Sequence, residues 1–163
     1  PRVLLEHYGF APVTLGLMFA SVVVLVFVSS MLAPRLSASV GPYRATLTGL
    51  GFNVTGAVAL LVAALVAKNS FPAFILSAAI FLFGVGIVSP LASATALSPF
   101  ADKAGIAAAL FGFAQMAGAA CGAMLAAAVS SDPALGLAIV LVMASPLAMI
   151  FHRRDGRHSG AKA

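Results

Sequence analysis

A glutamine at position 115, with the small residues around it, is the part of this 163-residue chain with most to offer a ligand. Ala108, Gly112, Gln115, Gly118 or Ala119, and Gly122 recur at three-and-four spacing, which puts them on one face of a helix. Gly118 and Gly122 form a small-xxx-small pair that lets another backbone approach closely. A carboxamide among them has two uses. It can bond across to a neighbouring helix, at about 0.6–2 kcal/mol in a membrane, or it can line a cavity and hold a polar group of a substrate. Spacing alone leaves both open.

Upstream, Gly84, Gly86, Ser89, Pro90, Ser93 and Thr95 make a second cluster of small and hydroxyl-bearing residues. Pro90 lacks an N–H and crowds the carbonyl of Gly86, which predicts a kink, either a passive bend or a flexing point. Phe81 and Phe83 fit lipid or core packing better than an aromatic ligand site. Asn53-Val54-Thr55 has the form of a glycosylation sequon, but it falls inside an apolar run, so contact between helices is the expected role. Cys121 is the only cysteine, so neither an intrachain disulfide nor a cysteine metal cluster can form.

The chemistry these residues do not provide is as informative. The apolar runs contain no Asp, Glu, Lys, Arg or His. No paired acids, nucleophile–base pair or metal-ligand set lies in them, and the reading is neither an enzyme nor a metal or cofactor protein. Proton relays and ion-coupled sites usually need an intramembrane ionisable group, and no coupling residue of that kind is present in these runs.

What must position the candidate residues follows from composition. The chain is 62% hydrophobic and 8% charged with a mean hydropathy of +1.12, against about 45–50% and about 25% in soluble domains. So few charges cannot cover a soluble surface of this size, and the expected solvent is the lipid bilayer. The net charge of +5 does not point to nucleic acid. Arg153, Arg154, Arg157 and Lys162 sit together near the C-terminus and most other basic residues occupy turns, as topogenic charges do.

Residues 13–33, 45–67, 72–98, 104–129 and 134–151 are predicted to span the membrane, each at or near the length needed to cross about 30 Å of hydrocarbon. Residues 1–12 read as an extracytoplasmic loop and 152–163 as a basic cytoplasmic tail, disordered by composition. Pro72 suits a first helical turn, and Ser130-Ser131-Asp132-Pro133 is an N-cap followed by proline. The short links between spans predict an all-α, five-span antiparallel bundle in a multi-pass membrane protein. Arg35, Arg44, Lys103 and the tail fall on one side, against Arg2 and Lys68 on the other, so the C-terminus is expected in the cytoplasm. The chain begins with Pro and shows no signal peptide, so it reads as a fragment or a processed C-terminal piece.

The junction Ala96-Leu97, Pro99-Phe100, Ala104-Gly105, Ala107, Ala109-Leu110, Gly112 and Gln115 resembles that between helices ten and eleven of a major facilitator superfamily transporter. The nearest likeness is to the bicyclomycin/chloramphenicol-resistance type of drug–proton antiporter. Tyr8-Gly9, Pro12, Gly16 and Phe19 are similar to the same family's entry into helix eight. The link between spans one and two resembles the superfamily's cytoplasmic gate motif, keeping Arg35, Gly41 and Arg44 but with Pro34 in place of the usual acid and Ser30 in place of the usual glycine. The resemblance implies helices eight to twelve of a C-terminal half in an inner (cell) membrane, with the N-terminal half absent and carrying the proton-coupling acid. It implies a midplane cavity between the halves and a small-molecule substrate, and raises Gln115, Phe111, Phe81 and Ser93 as cavity residues. Gly112, Gly118, Gly122, Pro90 and Gly86 would serve packing or hinge motion. The expected function is proton-coupled efflux of small apolar or drug-like molecules. A sugar or metabolite exporter and a non-transporting membrane subunit remain the alternatives.

Overall fold

The computed structural model describes residues 12–66 and 70–160. Among them every regular element is helical: α1 (Pro12–Val40), α2 (Pro42–Val66), α3 (Phe71–Leu97), a 3-10 helix (Ser98–Lys103), α4 (Ala104–Val129) and α5 (Pro133–Gly160). Four continuous apolar helical stretches are long enough to cross a bilayer: Ala20–Val40, Pro42–Val66, Pro72–Val129 and Pro133–Arg154. The described residues are all-helical, and these stretches make the protein a multi-pass membrane protein. The third stretch covers 58 residues because the 3-10 helix joins α3 to α4 without an extended loop. Non-helical backbone at Phe100 (φ −115°, ψ 31°) breaks its direction.

The predicted boundaries of α2, α3 and α4 agree with these helices to within a few residues, whereas α1 and α5 run on. The link expected at 34–44 is helical apart from Gly41, whose φ of +85° turns the chain back on itself. Gly41 N–H donates to Ser37 O and Ala45 N–H to Gly41 O, both at 3.0 Å, so the reversal leaves few backbone groups unpaired. Pro34 does not end α1, since it forfeits one backbone bond while the turns on either side hold. The tail begun at His152 likewise continues as helix to Gly160, which corrects the expectation of disorder. Residues 1–11 of the expected extracytoplasmic loop, including Tyr8 and Gly9 of the resemblance, and residues 67–69 lie outside the described residues.

Glycine sets the packing. A Cβ on Gly84 of α3 would stand 2.6 Å from the carbonyl of Gly49 and 2.8 Å from the amide of Asn53, both on α2. A Cβ on Gly56 of α2 would fall 2.5 Å from the Phe81 Cα of α3. Rising numbers on α2 thus meet falling numbers on α3, so the two are antiparallel and touch backbone to backbone, as small residues permit in lipid. On another face of α3, a Cβ on Gly86 would run into the Ser29 hydroxyl and lie 2.8 Å from Val26 O of α1. α5 closes against α2 and α4, and Gly136 abuts the Ala126 carbonyl of α4.

Buried hydroxyls are satisfied without water. Thr46 donates to Pro42 O (2.9 Å), Ser77 to Ala73 O (2.8 Å), Ser145 to Leu141 O (2.7 Å) and Ser29 to Val26 O (2.9 Å), each inside its own helix. Such back-bonding is how a hydroxyl survives in hydrocarbon. The outer surface is apolar: Phe27 is 64% exposed, Val66 82% and Phe113 73%, as lipid-facing side chains should be.

Helix directions collect the charge. The Gly41 reversal, the 3-10 turn and the end of α5 lie at one end of the bundle. There His152 stacks on Tyr43 (centroids 4.8 Å apart) and its Nε2 stands 3.2 Å from Tyr43 O. Arg35, Arg44, Lys103, Arg153 and Arg154 all belong to this end. At the other end Asp132 caps α5, its Oδ1 accepting from Ala134 N–H at 2.9 Å, with Ser130 Oγ accepting from Asp132 N–H at 3.1 Å. This is the N-cap and proline arrangement read from the sequence.

Candidate functional site

α4 carries the candidate residues and is the least covered helix of the chain. None of its residues is buried. It lies against α5 and meets α3 only beside the turn that joins them. Positions where a Cβ would be added at Gly105, Gly112, Gly118 and Gly122 have no other atom within 4 Å. The stripe expected to pack against a helix therefore faces open space among the described residues. Gln115 sits in the middle of it, exposed, with Phe111 and Gly112 half-buried one turn away.

Depth follows from the helical rise. Gln115 is eleven residues beyond Ala104, about 17 Å from the turn at 1.5 Å per residue, near the middle of α4. Phe111 is about 11 Å up the same helix. On α3, Ser93 lies about 6 Å and Phe81 about 24 Å from the turn.

The four proposed cavity residues therefore do not form one cluster. Phe111 and Gln115 share a face of α4. The Phe81 backbone lies against Gly56 of α2. The Ser93 hydroxyl is shared between Ser89 O (3.0 Å) and Pro90 O (3.1 Å) of its own helix.

Pro90 has an unexpected partner. Its ring nitrogen offers no hydrogen, so the Gly86 carbonyl one turn earlier loses its helical donor. Ser30 of α1 donates to that carbonyl at 3.1 Å, and α3 stays one helix from Phe71 to Leu97. Sequence reading singled out Pro90 and Gly86 but not the serine that completes them. A serine inside an apolar helix is expected to bond the preceding turn of its own helix, as Ser29 does, but Ser30 reaches across to α3 instead.

Asn53 stands at a contact between helices. Its side chain packs over Gly84 at the α2–α3 crossing as expected of a contact residue, yet its Oδ1 is buried with no donor among the described residues. Thr55 spends its hydroxyl on Gly51 O of its own helix (2.9 Å). The pair does not bond between helices. The sequence signal for this crossing was nevertheless present, since Gly49, Asn53 and Gly56 repeat at four-and-three spacing, the rule applied to α4.

The residues that resemble a gate motif fall at the basic end, Gly41 as the reversal itself and Arg35 and Arg44 exposed on either side of it. No three His, Cys, Asp or Glu side chains come together among the described residues. Compared by sequence with protein families and curated proteins, and by fold with solved structures, the chain matches none.

Proposed function

We propose that the chain is part of a transmembrane transporter that exports small, fairly apolar molecules by proton-coupled antiport. The observation that carries this is the open face of α4, an exposed amide between glycines near the middle of the helix with no helix opposite it among the described residues. A lone amide is costly to leave in hydrocarbon. A second set of helices with a solvated cavity between would give it both a partner and a use. In this reading the 58-residue stretch is two spans parted at the 3-10 turn, because about 87 Å of helix is nearly three times the hydrocarbon thickness. The basic end faces the cytoplasm of an inner membrane. The coupling acid belongs to the N-terminal half, in keeping with the sequence resemblance.

The test is accumulation of exported compounds in cells carrying the complete protein with Gln115→Ala. Efflux of at least one compound should fall about tenfold, the loss of one buried polar contact of about 1.4 kcal/mol, while membrane abundance is unchanged. Unaltered efflux of every compound removes Gln115 from the cavity.

The same open face favours a second reading, a non-transporting membrane subunit that docks through its glycines. A partner that copurifies stoichiometrically, with no substrate-dependent proton flux, would select it.

A further inference from the structure

At the basic end, α1, α2 and α3 leave a groove of about 400 Å³ between them, a size typical of small-ligand sites. Phe52 of α2 and Phe83 of α3 meet edge to face at its floor, centroids 5.2 Å apart and planes at 68°. Leu32 and Leu36 of α1 and Ile87 of α3 complete apolar walls.

Three lining residues are polar, and two of them have no donor to spare. Ser39 Oγ donates to Leu36 O at 3.0 Å and Thr48 Oγ1 to Arg44 O at 2.9 Å. The third is Arg35, exposed at the rim, whose fork of five N–H donors suits a phosphate. Arg44 stands one turn outward from Thr48 on the same face of α2.

No carboxylate is placed to neutralise this rim from its own helices. Beyond the first eleven residues the chain has only Asp102, Asp132 and Asp155, none of them on α1, α2 or α3. From Ser39 to Leu32 the groove follows α1 for about 10 Å. It therefore runs inward from the basic end, with Arg35 midway along its α1 wall and Leu32, Phe52, Phe83 and Ile87 among its apolar walls.

We propose that this groove binds one anionic phospholipid of the adjacent leaflet, its phosphate on Arg35 with Arg44 alongside and an acyl chain between Leu32, Phe52 and Phe83. Charge and shape select that occupant together. A free phosphate has no use for the aromatic floor, and a neutral zwitterionic lipid adds its own cation beside Arg35. Basic pockets between helices at the cytoplasmic face suit such headgroups in general. The lipid would lie between α1, α2 and α3 beside the Gly84 and Gly86 crossings, in contact with all three helices. The proposal rests on the membrane reading of the basic end and is independent of transport, so failure of the Gln115 experiment leaves it standing.

The experiment is native mass spectrometry of the full chain, delipidated in mild detergent and given dioleoyl phosphatidylglycerol or dioleoyl phosphatidylcholine at equal concentration. One phosphatidylglycerol should be retained where phosphatidylcholine is lost. Arg35→Gln should lower that occupancy about fivefold, the equivalent of about 1 kcal/mol per basic residue at a membrane surface, and Arg35→Lys should lower it less. Leu32→Trp, which blocks the groove and leaves every charge in place, should also release the lipid. The double change Arg153→Gln and Arg154→Gln should not. Glycerol 3-phosphate alone should neither bind at that concentration nor displace the lipid.

Equal retention of both lipids overturns the proposal. So does unchanged occupancy in the Arg35→Gln or Leu32→Trp variant, or a loss in the Arg153/Arg154 variant equal to that in Arg35→Gln, which would show diffuse attraction. Binding of glycerol 3-phosphate as tight as that of the lipid would make the site one for free phosphate.

Discussion

Replacing Gly84 with alanine should destabilise the chain in detergent by about 2 kcal/mol, and replacing it with leucine by about 3 kcal/mol or more. The cause is local and leaves little room for relief. The first atom added at this position meets the Gly49 carbonyl at 2.6 Å and the Asn53 amide at 2.8 Å. Both are backbone atoms, so α2 and α3 must separate as bodies instead of turning a side chain aside. Separation would also lift Phe81 from Gly56 and expose the unpaired Oδ1 of Asn53.

Gly118 supplies the contrast, since nothing lies within 4 Å of its Cβ position. Gly118→Ala should be neutral or stabilising by about 0.5–1 kcal/mol, the difference in helix propensity. Unfolding in mixed micelles, followed by circular dichroism, compares the two. Equal stability of the Gly84 and Gly118 variants would remove glycine contact as the basis of the α2–α3 crossing.

The second large effect belongs to Ser30. Ser30→Ala should cost about 1–2 kcal/mol, because the Gly86 carbonyl has already lost its helical donor to Pro90 and a membrane interior supplies no other. The partner change distinguishes this from ordinary loss of a hydroxyl. In Pro90→Ala the residue regains an N–H for Gly86 O, so the added cost of Ser30→Ala should shrink to a few tenths of a kcal/mol. Additive effects in the double variant would mean that the serine and the proline act independently.

Much of the helical framework was legible because lipid imposes a simple rule, that runs without charge are spans. α2, α3 and α4 followed from it directly. The rule does not say where a helix stops, since polarity reports the medium around a residue and not its backbone conformation. Pro34, Arg35 and Ser39 are polar or helix-breaking yet stay within α1, and His152, Arg153 and Arg154 stay within α5.

The candidate site was legible as a pattern and not as a contact. Gly112, Gly118 and Gly122 announce a small face, but spacing on one helix cannot say which helix, if any, stands opposite. Gly49, Gly56 and Gly84 carry no stronger signal and yet hold α2 and α3 backbone to backbone. The α1 groove had no sequence signature at all, since its walls come from three helices and Arg35 looks like any turn arginine.

The five-span topology, with the 98–103 turn in water at the basic end, underlies the placement of Gln115, the lipid groove and the orientation alike. It is tested most directly by removing the single thiol with Cys121→Ser and adding one back at a time as Ser39→Cys, Ser98→Cys or Ser131→Cys. Each is then labelled with a membrane-impermeant maleimide in right-side-out and inverted vesicles. Ser98→Cys should react from the same side as Ser39→Cys, and Ser131→Cys from the opposite side. Protection of Ser98→Cys from both sides, or its reaction from the side of Ser131→Cys, would contradict the five-span bundle.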